Sequence, residues 1–179
     1  MRLFARRGYD GVGVAELSEA LGVNPPSLYA AYGSKCGLFE HAMRIYRARF
    51  EAAVPEALES EERLDAAVAR LFAMAADAYT QDTEAAGCMV IEGGRSVQDP
   101  GARALLEKAH LATRRLIVER FERGNAPEPD LLADYVLAIL SGLSASARRG
   151  AGRERLQAMA SIAAAGFATR VGVASSAEP

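Results

Sequence analysis

Residues 14–32 read VAELSEALGVNPPSLYAAY, and this stretch decides the fold. Its apolar residues recur at i, i+3 and i+7 up to Leu21, and Gly22 follows as a typical helix C-cap. Asn24 then precedes Pro25, which is the pattern of an N-cap followed by proline at the first helical position. Two helices of about two turns each are too short to be stable alone. The stretch therefore predicts two short helices that pack together as a helix-turn-helix unit.

Outward from this stretch, helical patterns continue on both sides. A helical stub is predicted at Met1 to Arg7, and Ser34 is placed to cap a longer helix that reaches Phe50. Pro55 is expected to break the chain. Alanine is abundant and β-branched residues are scattered, so no strand is expected. Further helices are predicted at 62–80, 88–91, 100–124, 130–149 and 153–170, and we expect the tail from Ser175 to be disordered. The predicted fold class is all-α.

Charge is distributed unevenly along the chain. The 179 residues contain 21 Lys and Arg against 23 Asp and Glu, so the net charge of −2 gives no basic signal overall. Residues 1–50 contain seven basic and four acidic groups and carry +3, whereas residues 51–179 contain 14 and 19 and carry −5. We predict two domains with these bounds. A basic helix-turn-helix segment on an acidic helical body is typical of a DNA-binding head with a separate regulatory domain.

Several functional classes are not expected. No segment is expected to approach the roughly 18 apolar residues of a membrane span, and the first residues lack the apolar run of a signal peptide. The two cysteines, Cys36 and Cys88, have no ligand spacing and fit a reducing cytosol, so a cytoplasmic protein is expected. We find no nucleophile–base–orienter set, no glycine-rich phosphate loop and no metal cluster. The sequence therefore predicts no enzyme and no cofactor or metal.

Three segments together carry a family resemblance: LFARRGYDG at 3–11, the helix at 14–21, and GVNPPSLYAAYGSK at 22–35. They closely resemble the N-terminal domain of the tetracycline-repressor (TetR) family of bacterial transcriptional regulators, over about residues 3 to 46. The segment GLSASARRGAG at 142–152 more weakly resembles the junction of the last two helices in one branch of that family. The region between them matches only in helix number and order.

The resemblance implies an all-α homodimer that inserts its third helix into successive major grooves of a palindromic double-stranded operator. The helix-turn-helix domain would be 1–50, and 51–179 would hold a small-molecule effector and the dimer interface. Carried over by position, the expected DNA-binding residues are Asn24, Pro25, Pro26, Ser27, Tyr29 and Lys35, with Lys35 on a phosphate. The alternative is that Tyr29 merely packs and Lys35 is solvated.

The sequence departs from the family pattern at three places. Family members usually carry more residues upstream, so either the sequence is truncated or helix 1 is a stub. If the truncation is real, the helix-turn-helix is expected to be less stable and its affinity for DNA lower. Gly13 stands where a Ser or Thr usually caps helix 2, a loss of a few tenths of a kcal/mol. Ala15, Ala30 and Ala31 replace longer polar groups. We therefore expect modest base readout through thymine methyl contacts and DNA shape.

The C-terminal region supplies candidate effector and dimer residues. Apolar faces of the predicted helices suggest a cavity for a small hydrophobic effector, with Tyr79, Thr113 or His110 as polar orienters; the alternative is a filled core. The candidates are Leu71, Phe72, Ala75, Tyr79, Met89, Leu105, His110, Thr113 and Ile117. The last two helices mix large and small residues and predict a four-helix interface; the alternative is packing within one chain. The candidates there are Tyr135, Ile139, Gly142, Leu143, Leu156, Met159, Ile162, Ala163, Gly166 and Phe167.

The function implied is a repressor released from DNA by its effector, with no membrane partner. The alternative is a helical ligand-binding protein that has lost DNA binding. One further hypothesis concerns Cys36, which lies in the first turn of its helix beside Lys35. The helix dipole and the cation are expected to lower the pKa of its thiol and allow a redox switch, although an inert thiol explains it equally well. Cys88 is expected to pack.

Overall fold

The computed structural model describes residues 1–50, 53–93 and 97–175, and within these ranges the protein is built from helices without strands. The all-α prediction is confirmed. The helices are α1 (Arg2–Arg7), α2 (Val14–Leu21), α3 (Pro25–Tyr32), α4 (Lys35–Phe50), α5 (Ala53–Glu59), α6 (Leu64–Thr80), α7 (Met89–Gly93), α8 (Pro100–Arg123), α9 (Pro129–Arg148) and α10 (Arg153–Ser175), with a 3-10 turn at Thr83–Ala85.

Most predicted helices lie within a few residues of their expected positions. One expectation is wrong: Pro55 does not break the chain but lies inside α5, which begins two residues earlier at Ala53. Proline is tolerated there because the first-turn N–H groups of a helix have no intrahelical acceptor. α10 extends to Ser175, five residues beyond its predicted end. The prediction that the tail is disordered from Ser175 is wrong for Ser175, which is the last residue of α10; residues 176–179 lie outside the described residues.

The chain forms two compact units. The first contains residues 1–50 and 88–110, and the second contains residues 51–87 and 111–179. The chain changes unit first at 50/51, where the domain boundary was predicted, and again at 87/88 and 110/111, where none was predicted. α8 is therefore one continuous helix that contributes residues to both units.

The core of the first unit is aromatic. The rings of Phe4 and Tyr9 each meet the ring of Phe39 edge to face, at centroid distances of 5.0 and 5.1 Å. Leu17 of α2 and Leu28 of α3 are also buried. Edge-to-face pairs add to the free energy gained by apolar burial, so this cluster fixes the helix-turn-helix on a small core.

The core of the second unit lies among α6, α9 and α10, which pack against one another. Phe72, Leu143 and Leu156 are buried there, and the rings of Phe121 and Phe167 lie 5.4 Å apart. Arg120 is buried to 8% exposure and donates to three main-chain carbonyls, at Leu58, Glu61 and Glu62. A buried guanidinium is stable only when its donors are satisfied in this way.

One helix is more apolar than the sequence analysis expected. α9 is long enough to cross a membrane, with a mean hydropathy of 1.3 over an 18-residue window. This corrects the expectation that no segment approaches such a span. Because 44% of that window is buried inside the protein, and because the core helix of a soluble protein meets the same criteria, α9 is weak evidence for a membrane span.

Candidate nucleic-acid interface

The turn between α2 and α3 is held by local hydrogen bonds. Gly22 adopts the left-handed conformation (φ 67°, ψ 29°), and its N–H donates to the carbonyls of Glu19 and Ser18. The N–H of Val23 donates to Ser18 as well, over 3.0 Å. A residue with a Cβ is strained at such a φ, so glycine is favoured at this position. This ending turns the chain sharply toward α3.

α3 begins with the predicted cap. The side-chain oxygen of Asn24 accepts a hydrogen bond from the N–H of Ser27 at 2.9 Å, and prolines occupy the first two helical positions. Leu28 is the buried residue of this helix, at 1% exposure. Tyr32 at the end of the helix is half-buried, and its ring lies 5.5 Å from that of His41. Leu28 and Tyr32 thus anchor α3, and its other side chains are exposed.

All five predicted DNA-binding residues in and beside α3 are exposed. Tyr29 is 47% exposed, which disagrees with the alternative that it merely packs. The five residues are Asn24, Pro25, Pro26, Ser27 and Tyr29. One part of the helix-face prediction is wrong: Leu21, expected to be buried with Leu17, is 48% exposed because the glycine turn begins directly after it.

The N-terminus of α3 offers few backbone donors. A helix normally presents free N–H groups in its first turn, and these bind anions. Pro25 and Pro26 have no N–H, and the N–H of Ser27 is satisfied by Asn24. The Asn24 oxygen accepts this cap bond with one of its two lone pairs, and its NH₂ group keeps its donors for outward contact. Readout by α3 therefore depends on side chains.

The predicted phosphate-binding residue lies at the start of α4. Ser34 caps this helix by accepting from the N–H of Gly37 at 3.0 Å, as predicted. Lys35 is half-buried, and its Nζ lies 4.3 Å from the centroid of the Tyr9 ring. A cation over an aromatic face at this distance is attracted by the ring quadrupole. Lys35 is thus not simply solvated, although its contact with phosphate stays a prediction.

The missing cap of α2 is confirmed. Gly13 occupies the N-cap position with an extended backbone (φ −84°, ψ 156°) and makes no side-chain hydrogen bond. A Cβ added at Gly13 would meet no atom within 4 Å. The site can therefore accommodate a capping side chain that the sequence does not provide.

The prediction for Cys36 is wrong. Burial, followed by the negative charges of Asp99 and Glu40, raises the pKa of its thiol above the ordinary value of 9.0. A raised pKa means less thiolate at neutral pH, and the thiolate is the reactive form. The redox switch has therefore lost its physical premise. Cys88 is half-buried and accepts a hydrogen bond from the Tyr46 hydroxyl at 3.4 Å.

Two residues just before α8 were missed as partners of the helix-turn-helix. The Tyr9 hydroxyl donates to Asp99 at 3.2 Å, and the N–H of Gln98 donates to Asp10 at 2.8 Å. Asp99 also caps α8, because its other carboxylate oxygen accepts from the N–H of Ala102 at 2.8 Å. Contacts across 88 or 90 positions have no signal in local spacing.

The predicted effector residues are divided between the two units. Met89, Leu105 and His110 belong to the first unit, and His110 is exposed. The others belong to the second unit, where Leu71, Phe72, Ala75 and Ile117 are buried and Tyr79 and Thr113 are half-buried. Their role in effector binding stays a prediction. A surface groove of about 390 Å³ lies along α8, and none of the predicted residues lines it.

The predicted dimer residues also divide. Leu143, Leu156 and Phe167 are buried in the core of their own chain, at 2%, 0% and 1% exposure, which corrects their assignment to a subunit interface. Ile162 is 75% exposed, and Gly142 and Gly166 are exposed too. Between these extremes, four residues are half-buried, and one of them, Tyr135, donates to the Ala163 carbonyl at 3.0 Å. The four are Tyr135, Ile139, Met159 and Ala163.

The two short helices, the glycine turn and the exposed face of α3 define a helix-turn-helix DNA-binding protein. A family model described as bacterial regulatory proteins, tetR family, matches residues 1–42. The chain is 37% identical over 161 residues to the HTH-type transcriptional repressor BdcR of Escherichia coli (strain K12), covering 90% of this chain and 81% of BdcR. It is 34% identical to the HTH-type transcriptional repressor ComR of the same organism, over 89% of this chain and 81% of ComR.

Solved structures agree with these relatives. A cysteine variant of the TetR-family transcriptional regulator CifR, in complex with 26-bp double-stranded operator DNA, superposes with a TM-score of 0.81 at 32% identity, covering 90% of this chain and 88% of CifR. A TetR-type regulator from Rhodococcus sp. RHA1 gives a TM-score of 0.64 at 36% identity, over 93% and 94% of the two chains. The chain belongs to the TetR family and is a DNA-binding transcriptional repressor.

Proposed function

We propose that the protein binds a palindromic operator as a homodimer through α3 and leaves it when a small hydrophobic effector binds the C-terminal region. The observation that carries the proposal is the exposure of α3, in which Leu28 is buried, Tyr32 is half-buried and the other six residues are exposed. The relatives are regulators rather than enzymes, and we propose a cytoplasmic protein without catalytic activity. Among the described residues, no group of His, Cys, Asp and Glu is arranged to hold a metal.

Base readout would come from a few polar groups on an apolar face. Ser27 and Tyr29 carry hydroxyls that both donate and accept, and Asn24 has an amide donor. The remaining exposed surface of α3 is formed by prolines and alanines. Such groups suit the methyl group of thymine in the major groove. We therefore propose a site read through a small number of hydrogen bonds together with thymine contacts.

Dimer formation would use the exposed small residues of α9 and α10. Exposed alanine, glycine and isoleucine residues recur at helical spacing on each of these helices and leave apolar surface in water in a single chain. Such residues allow close approach of helix backbones across a two-fold axis. The exposed members are Ala138, Gly142, Ala158, Ile162, Ala165 and Gly166.

The test is a mobility-shift titration with DNA that flanks the protein's own gene, at two salt concentrations. The chain has only two lysines, Lys35 and Lys108, which provide a matched pair of variants. Lys108 is exposed on α8, outside the proposed interface. We expect Lys35→Ala to weaken binding similarly for all sequences and to reduce the salt slope by about 1, because one phosphate contact is removed. Lys108→Ala should bind as the wild type does.

Two results would contradict the proposal. Equal affinity of the wild type for flanking and random DNA would mean that α3 reads no sequence. A salt slope near zero would mean that no phosphates are neutralised, as expected of a ligand-binding protein that has lost DNA binding.

A further inference from the structure

The first turn of α8 is held against the helix-turn-helix by two side chains from the loop after α1. Tyr9 donates to Asp99 at 3.2 Å, and Asp10 accepts from the N–H of Gln98 at 2.8 Å. We name this pair of bonds the Tyr9–Asp10 clamp. We propose that the clamp is a positioning device for operator binding, which fixes the direction of α3 relative to α8 without contacting DNA. The proposal rests on the operator binding proposed above.

The clamp is preorganised on both sides. The Tyr9 ring is 5% exposed and packs between Phe4 and Phe39, so its hydroxyl has little freedom. Asp99 is fixed by its second oxygen, which accepts from the N–H of Ala102 at 2.8 Å. Hydrogen bonds from Ala102 and Tyr9 lower the pKa of Asp99, which therefore remains a carboxylate at neutral pH. Burial raises the pKa of Tyr9, so its phenol remains a donor.

The approach of α4 to α8 is close at one further point. A Cβ added to Gly101 would lie 2.9 Å from the Cys36 sulfur and 3.2 Å from an Asp99 oxygen. Either distance is below ordinary van der Waals contact, so the Cys36 sulfur and the Asp99 carboxylate would have to shift if a Cβ were added at this point. The side chain of Cys36 lies next to the clamp.

The consequence for DNA binding follows from the course of α8. The same helix continues into the second unit, and both α3 helices of a dimer must reach successive major grooves about 34–36 Å apart. A loosened clamp leaves each helix-turn-helix intact but no longer directs both toward one duplex face. Binding through two linked sites loses its advantage when geometry prevents simultaneous engagement, an effect that reaches about 10²-fold or more.

The experiment compares two duplexes. The first is the segment that the wild-type protein protects in a footprint of its flanking DNA, and the second is the same segment with one half-site scrambled. Gly101→Ala adds a Cβ that pushes the first turns of α4 and α8 apart. Tyr9→Phe removes the hydroxyl while keeping the aromatic packing. We expect about tenfold or greater loss for the intact duplex with Gly101→Ala and a smaller loss with Tyr9→Phe. Affinity for the scrambled duplex should change less than about twofold in both.

A size-swap variant tests this contact directly. Replacing Cys36 with Ala removes the sulfur that the new Cβ would meet, whereas the contact with the Asp99 oxygen at 3.2 Å remains. The double variant Cys36→Ala/Gly101→Ala should therefore regain part of the affinity for the intact duplex. Cys36→Ala alone should bind as the wild type does. Far-UV circular dichroism and thermal melts of each variant verify that the helix-turn-helix remains folded.

The outcomes separate the two proposals. If the wild type protects no DNA, both the operator proposal and the clamp are wrong. If the wild type binds while Gly101→Ala loses affinity for both duplexes equally, or for neither, only the clamp is wrong. A double variant that binds no better than Gly101→Ala also contradicts the steric basis of the clamp.

Discussion

Replacing Arg120 with Met should lower the free energy of unfolding more than the same replacement of any exposed arginine. The guanidinium donates to the Leu58 carbonyl at 2.8 Å and to the Glu61 and Glu62 carbonyls at 3.0 Å each. It thereby satisfies carbonyls at and after the end of α5, which have no intrahelical donor. Methionine keeps the apolar stem but removes every donor.

The expected magnitude follows from the burial of each bond. Hydrogen bonds from a charged donor contribute about 1.5–3 kcal/mol each. The bond to Leu58 is buried and should contribute this full free energy. The bonds to Glu61 and Glu62 are partly buried, and each should contribute less than half of it. The free energy of unfolding should fall by about 3 kcal/mol. For a chain of this length, that shifts Tm by roughly 6–12 °C.

The measurement is urea and thermal unfolding at one fixed protein concentration, because dimer formation makes Tm concentration-dependent. The matched control is Arg115→Met on the same helix, where the side chain is 82% exposed and pairs with Glu119 at 2.6 Å. That exposed pair should contribute little to the free energy of unfolding, because water screens its charges. If the two variants unfold within about 0.5 kcal/mol of each other, the reasoning about buried carbonyls is wrong.

Two further predictions concern the second unit. Hydrogen bonds from Arg153 lower the pKa of Asp77 below its ordinary value of 3.8. Their contribution to the free energy of unfolding is therefore complete above pH 3.8 and is lost as pH falls through the pKa of the folded state. In unfolding experiments at decreasing pH, the free energy of unfolding should decline less for Asp77→Asn than for the wild type. Gly87→Ala should lower Tm measurably, because Gly87 has φ +85° and its new Cβ would lie 2.8 Å from the Ser144 hydroxyl oxygen, whereas Gly152→Ala, with no atom within 4 Å, should leave Tm nearly unchanged.

The parts of the fold set by neighbouring residues could be predicted from the sequence. The N-cap of α3 and the glycine ending of α2 use contacts within a few positions, so Asn24 and Gly22 were placed correctly. Leu21 was expected to be buried but is exposed, because the helical period of apolar residues does not show which turn of a two-turn helix still contacts the core. Ser27 and Tyr29 are exposed as expected, since the spacing of Leu28 and Tyr32 shows which face of α3 packs.

Long-range partners could not be predicted, and they changed the chemistry of two sites. The pKa of Cys36 was expected to fall from its helix position and from Lys35, but burial and Asp99, 63 positions away, raise it. Leu143 and Phe167 follow the helical period of buried residues, and that period does not distinguish the core of one chain from an interface between two. Each error concerns the partner of a residue rather than the secondary structure that holds it.

The recognition helix α3 contains no lysine, arginine, aspartate or glutamate. Attraction to the phosphates must therefore arise elsewhere, while discrimination among bases arises on a neutral surface. Ionic strength then changes the affinity for DNA but does not change the discrimination among bases. As salt rises, binding to the operator and binding to a singly mutated operator should weaken in parallel, and the ratio between them should stay constant. A repressor built this way retains its choice of site across changes in cellular salt that alter its occupancy.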